Sequence, residues 1–155
     1  MSTIDQALDY LADLTVGSAV SSHYTAVPNP TLGSGYTQST NNLQVAQSKD
    51  GNTILLSGLY AVEIAAGASA RTVTLNIPVT IANPPSSNKT FWTGYVDSYT
   101  WDAATGGINI RNAVQLTVST AGKVTINLSL SNNSGKKTKA FYSQNGAVYR
   151  LGGGN

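Results

Sequence analysis

Few residues in this chain could do chemistry. There is one histidine, His23, and no cysteine. His23 sits beside Tyr24 in a Ser/Thr-rich stretch with no carboxylate near it in sequence. It therefore supplies neither a metal-ligand cluster nor the base of a nucleophilic triad, and reads as a polar surface residue. Without cysteine, disulfides and thiolate metal sites are excluded. Of the seven acidic residues, Asp5, Asp9 and Asp13 recur every fourth position and Asp50 sits in a turn, which leaves Glu63, Asp97 and Asp102. Acid–base work on a glycosidic bond needs two carboxylates facing each other across a cleft, and nothing in this spacing selects a pair. No glycine-rich phosphate loop and no nucleophile elbow occur. The expectation is a protein that is not an enzyme, with no catalytic residue, no cofactor and no metal.

The aromatic residues Trp92, Tyr95, Tyr99 and Trp101 are the stronger candidates. Exposed rings stack on the apolar faces of sugars and other flat partners. Rings of this size serve equally as core or subunit contacts, and a charge-poor chain needs such anchors, which favours the second use. In an unbroken strand successive side chains alternate, so Trp92 would point away from the face shared by Tyr95, Tyr99 and Trp101.

Only 10% of the residues are charged, against roughly 25% in an average soluble domain. Ser, Thr, Asn, Gln and Gly must cover the surface instead. The net charge is +2, and only Lys136, Lys137 and Lys139 cluster. Displacing counterions from phosphates takes a dense basic stripe, so nucleic acid is not expected as a partner. The N-terminus lacks the basic start and apolar run of a signal peptide, and no stretch is apolar enough to span a bilayer as a helix. Synthesis in the cytoplasm without membrane insertion is expected.

These residues must be positioned by a mainly β framework. Met1 to Gly17 is predicted to be a short amphipathic helix: Thr3 and Gln6 have capping-box spacing, and Ile4, Ala7, Leu8, Leu11 and Leu14 fall on one face. Seventeen residues make a helix of marginal stability in isolation, so the face carrying Ile4, Leu8, Leu11 and Leu14 needs a partner and is the candidate assembly contact. Residues 18–42, with Pro28, Pro30, Gly33 and Gly35, read as an extended arm or linker with room for one strand before Pro28. From Leu43 the hydrophobic period becomes two. Val73, Leu75, Ile77 and Val79 alternate with polar residues, as do Val114, Leu116, Val118, Val124, Ile126 and Leu128. Pro78 within such a run predicts an edge position or a bulge. Asp50-Gly51 and Asn145-Gly146 read as hairpin turns. The expected fold is all-β: an antiparallel β-sandwich or jelly roll over 43–151, with the N-terminal helix ahead of it and a flexible tail at 152–155.

In its acidic start, Met1-Ser2-Thr3-Ile4-Asp5-Gln6-Ala7-Leu8-Asp9-Tyr10, its arm-like 18–42 and its Thr/Asn-faced strands from Thr72 to Leu130, the chain resembles the small structural proteins of viruses and bacteriophages. Capsid and cement jelly rolls, head decoration proteins and tail fibre or baseplate domains share this style. The likeness spans the whole length and carries over no functional residue. It implies a structural protein located in the virion, a homo-oligomer whose partners are copies of itself and other virion proteins. The rival reading is a carbohydrate-binding or receptor-binding adhesion module that uses Trp92, Tyr95, Tyr99 or Trp101 on a cell-surface glycan.

Overall fold

The computed structural model describes residues 23–32, 36–65, 72–102, 106–130 and 137–154, with the backbone alone at 101–102 and 106–109. The amphipathic segment expected at Met1 to Gly17, with Ile4, Leu8, Leu11 and Leu14, lies outside the described residues. Among the described residues there are ten strands and no helix: β1 (Tyr24–Val27), β2 (Thr31–Leu32), β3 (Thr37–Asn41), β4 (Gln44–Ser48), β5 (Thr53–Ile64), β6 (Thr72–Thr80), β7 (Lys89–Asp102), β8 (Gly106–Val118), β9 (Lys123–Ser129) and β10 (Lys137–Arg150). All belong to one antiparallel sheet, curled into a half-barrel.

The strand order β1-β4-β5-β10-β7-β8-β9-β6-β2 requires the curl. Laid flat, the first and last strands of this path would stand about 38 Å apart, at about 4.8 Å per strand step. Yet β1 and β2 are joined by only Pro28, Asn29 and Pro30, a link that spans at most about 14 Å. The two ends of the sheet must therefore approach each other. Side chains and loops bridge the seam between them. Gln47 Nε2 on β4 donates to the Thr80 carbonyl of β6 at 2.9 Å, and Tyr36 Oη donates to the Thr72 carbonyl at 2.7 Å. The Ala82 N–H donates to the Gly51 carbonyl at 2.9 Å.

The residues expected as an arm or linker take part in this closure. Their described portion holds β1, β2 and β3, which pair with β4, β6 and β5. β1 falls where the sequence left room for one strand before Pro28, whereas the prolines at 28 and 30 and the short polar runs hid β2 and β3, which are stabilised by an edge to pair with and hardly by their own pattern. The strands β3 and β4 follow one another along a single edge of β5. At their junction the Asn42 carbonyl oxygen would lie only 2.0 Å from a Cβ on Gly58, which holds φ +114°. Only glycine fits there, and β5 runs through without ending.

The core lies inside the curl. Val73, Leu75, Ile77, Val79, Val114, Leu116, Val118, Val124, Ile126 and Leu128 are all buried, together with Ile54, Leu56, Tyr60 and Tyr142 from the β5–β10 half. Pro78 falls at a break in register between Ile77 and Thr80, where its missing N–H is not needed for the ladder. Asn145-Gly146 is not a hairpin turn. β10 continues from Lys137 to Arg150, and Gly146, at φ +72°, forms a bulge between Asn145 and Ala147. A left-handed glycine serves both devices, so the dipeptide alone does not separate them. The C-terminal glycines are not loose either: Gly152 is buried, and the Gly153 N–H donates to the Asn83 carbonyl at 2.9 Å.

Candidate functional site

Trp92, Tyr95 and Tyr99 of β7 are 66%, 57% and 45% exposed, and all stand on the outer face of the sheet. The alternation expected from the sequence put Trp92 on the opposite face. A bulge overturns it: Trp92 pairs with Gln115 and Tyr95 with Ala113, so Thr93 and Gly94 together oppose Val114 alone. The extra residue inverts the parity of the strand. Gly94 holds φ +74°, a backbone that residues with a Cβ rarely adopt. Trp101 pairs through its backbone with Gly107 and Lys137, and its side chain lies outside the described residues.

Three residues absent from the sequence-level site hold this bulge from beneath. Thr93 and Tyr142 are fully buried, and their hydroxyls are 2.9 Å apart. The Gln144 side-chain amide donates to the Thr93 carbonyl at 2.9 Å, to Thr93 Oγ1 at 2.9 Å and to Tyr142 Oη at 3.0 Å. Ladder pairing between β7 and β10 stops at Val96 opposite Tyr142, so Gln144 replaces the backbone partner that the bulge removes. A Cβ on Gly94 would lie 2.9 Å from Gln144 Nε2. The lone glycine inside a strand pattern was the one signal in the sequence that pointed here. Burial raises the Tyr142 phenol above its ordinary pKa of 10.0, and its bonds with Thr93 and Gln144 offset part of that rise.

The charges around the aromatic residues are neutralised across neighbouring strands. Arg111 Nε is 2.8 Å from Asp97 Oδ1 and Nη2 is 3.1 Å from Oδ2, a two-pronged pair directly opposite in register. The same guanidinium lies 5.4 Å from the centre of the Tyr95 ring. On the other flank Lys139 Nζ lies 3.9 Å from Glu63 and 5.4 Å from the centre of the Phe141 ring, and Lys137 Nζ lies 3.7 Å from Glu63. Glu63 and Asp97 thus serve cross-strand ion pairs, on separate flanks of the face. The side chain of Asp102 lies outside the described residues. His23 lies beside β1, where its carbonyl accepts the Lys49 N–H at 3.1 Å.

Two concavities border the aromatic face. One, of about 220 Å³, is lined by Glu63, Tyr99, Lys137 and Lys139. The larger, of about 380 Å³, is lined by Thr72, Trp92, Asn112, Ala113, Gln115, Asn127 and Ser129, on the outer side of β7, β8, β9 and β6. Its described walls carry amides, hydroxyls and an indole, and no ionisable group. That groove thus offers stacking and hydrogen bonding. No family model, curated protein or solved structure matches the chain.

Proposed function

We propose that the protein is a non-enzymatic structural component of a virus or phage particle, and that it pairs with copies of itself through the patch that Tyr95, Tyr99, Arg111 and Phe141 form on the outer face of β7, β8 and β10, apart from the groove beside Trp92. One observation carries this reading: Tyr95, Tyr99 and Phe141 share that face while remaining 57%, 45% and 37% exposed. Tyrosine, other aromatic residues and arginine are the types enriched at the centres of protein interfaces. Arg111, Lys137 and Lys139 supply positive charge there, and Asp97 and Glu63 negative charge. A two-fold interface must be self-complementary, and a face carrying both signs allows opposite charges to meet across it. A net charge of +2 keeps repulsion between copies small. The sandwich or jelly-roll description fits this role, since the β6–β9 half and the β5–β10 half of the curled sheet contribute to one core between them.

Light scattering across a concentration series tests the reading. The wild-type chain is expected to self-associate, and Tyr99→Ala combined with Phe141→Ala to give a folded monomer. A wild-type protein that stays monomeric at every concentration sinks it. The second reading, an adhesion module, is favoured by the neutral groove beside Trp92.

A further inference from the structure

We infer that the groove beside Trp92 is a binding site for a neutral hexose unit of a glycan. Trp92 is the most exposed large hydrophobic residue among those described, at 66%. Arg111 lies over Tyr95 and Lys139 over Phe141. Among the described residues no cation lies over Trp92, which leaves it the most accessible ring for a stacking partner. The C–H face of a pyranose is such a partner, because it presents weakly positive hydrogens to the negative face of an aromatic ring.

The neighbours of Trp92 supply the other half of sugar recognition. Trp92, Gln115, Asn127 and Thr74 stand in one row, directly opposite one another across β7, β8, β9 and β6. Successive members are therefore about one strand spacing apart, about 4.8 Å. A ring stacked at the tryptophan end places its hydroxyls over the amides. Each amide both donates and accepts, as a vicinal pair of hydroxyls does. Thr74 Oγ1 donates to Asn127 Oδ1 at 3.0 Å, which fixes that amide and turns its N–H groups outward from the bond. Asn112 Nδ2 donates to the Ser129 carbonyl at 2.9 Å, so a second wall residue is held in place. Groups fixed in advance lose less entropy on binding.

The lining also sets the chemical class. No described wall residue is ionisable. A sialylated, sulfated or phosphorylated ligand would be met by Arg or Lys, and both are absent from the described wall. The volume of about 380 Å³ is at the small end of the roughly 300–1,000 Å³ typical of ligand sites, which suits one or two sugar rings. This inference rests on the adhesion reading and not on self-assembly, since every contact lies within one chain.

The test uses the full chain on an array of neutral and sialylated oligosaccharides, followed by NMR titration with the methyl glycosides of glucose, galactose, mannose and N-acetylglucosamine. Binding to neutral glycans is expected, with perturbation of a tryptophan indole signal and of side-chain amide signals. Trp92→Ala should weaken binding at least ten-fold and Gln115→Ala several-fold, with Trp92→Tyr retaining part of the affinity. Melting temperature and the light-scattering mass should stay at wild-type values in these variants, which separates loss of this site from loss of assembly. Binding confined to sialylated glycans overturns the inference. So does full binding by Trp92→Ala, or no binding of any neutral glycan by the folded wild-type chain.

Discussion

Asn52 Oδ1 accepts the backbone N–H of Asn83 at 2.9 Å, joining the turn before β5 to the loop that leaves β6. The same residue holds the C-terminus: its carbonyl accepts Leu151 N–H at 2.7 Å and Gly152 N–H at 3.2 Å. The two partners lie at opposite sides of the sheet's seam, so one nearly buried residue, 4% exposed, links three segments far apart in sequence through its side chain and its backbone carbonyl.

Replacing Asn52 by Ala removes the acceptor and leaves the Asn83 N–H unpaired in a half-closed site. A loss of about 1–3 kcal/mol is expected in urea unfolding. The backbone bonds to Leu151 and Gly152 should survive, so the fold should persist with a looser seam. Amide hydrogen exchange should quicken at Asn83 and Gly153 before it quickens in β8 or β9.

The bulge at Thr93–Gly94 gives a second expectation. Gly94→Ala forces a Cβ into a left-handed backbone and against Gln144 Nε2 at 2.9 Å. Gly146 has a similar φ of +72° with nothing within 4 Å of its would-be Cβ. Gly146→Ala should therefore cost only the conformational penalty of about 1–2 kcal/mol, and Gly94→Ala should cost more. Paired denaturant melts decide the order. Equal costs would mean that Gln144 gives way freely and does not hold the bulge.

The regular part of the fold was open to reading in the sequence because it depends on local alternation. Val114, Leu116, Val118, Val124, Ile126 and Leu128 alternate with polar residues, and all are buried. What sequence could not supply were features set by distant partners. β2 and β3 have little pattern of their own and exist because β6 and β5 offer edges to them. The same holds at the site. Trp92, Tyr95 and Tyr99 were named from residue type alone, but their common face depends on one extra residue, at a bulge to which Gln144, 51 positions beyond Thr93, donates. Gly94 signalled an irregularity without telling which way Trp92 would turn. The amides of the groove were invisible for a different reason: Gln115 and Asn127 look like ordinary outward strand residues until the register sets them beside Trp92.

Acid should weaken the fold through its exposed carboxylates. The hydrogen bond from Arg111 holds Asp97 below its ordinary pKa of 3.8, and the guanidinium charge adds to the effect while slight desolvation opposes it. Asp50 is lowered too, first by the Ser48 hydroxyl and then by the Asn52 N–H. A carboxylate whose folded pKa is depressed contributes stability above its unfolded pKa. That contribution is lost as pH falls through the folded value. The Arg111–Asp97 pair is solvent-exposed, so its share is small, and salt reduces it. Arg111→Gln should flatten the acid limb of a plot of stability against pH and lower the curve above pH 5 by a constant amount, with its slope there unchanged. Urea melts from pH 2 to pH 7 at low salt would read the difference.

Alkali should act through Tyr142. Its phenol is raised above 10.0, foremost by burial, so the folded state holds that proton more tightly than the unfolded chain does. The stabilisation is complete below the unfolded pKa and is lost as pH rises through the folded one. Tyr60, raised by burial as well, contributes in the same direction. Tyr142→Phe should therefore remove part of the alkaline slope and leave the remainder to Tyr60. At neutral pH it should cost about 0.5–1.5 kcal/mol, because Gln144 still donates to Thr93. Gln144→Ala breaks all three bonds at once and leaves the Thr93 carbonyl without its donor, so it should cost more. The double variant should lose less than the two single losses added together, since both substitutions break the Gln144–Tyr142 bond. Strict additivity would show that the three side chains act separately, and the bulge that turns Trp92 outward would then rest on Gly94 alone.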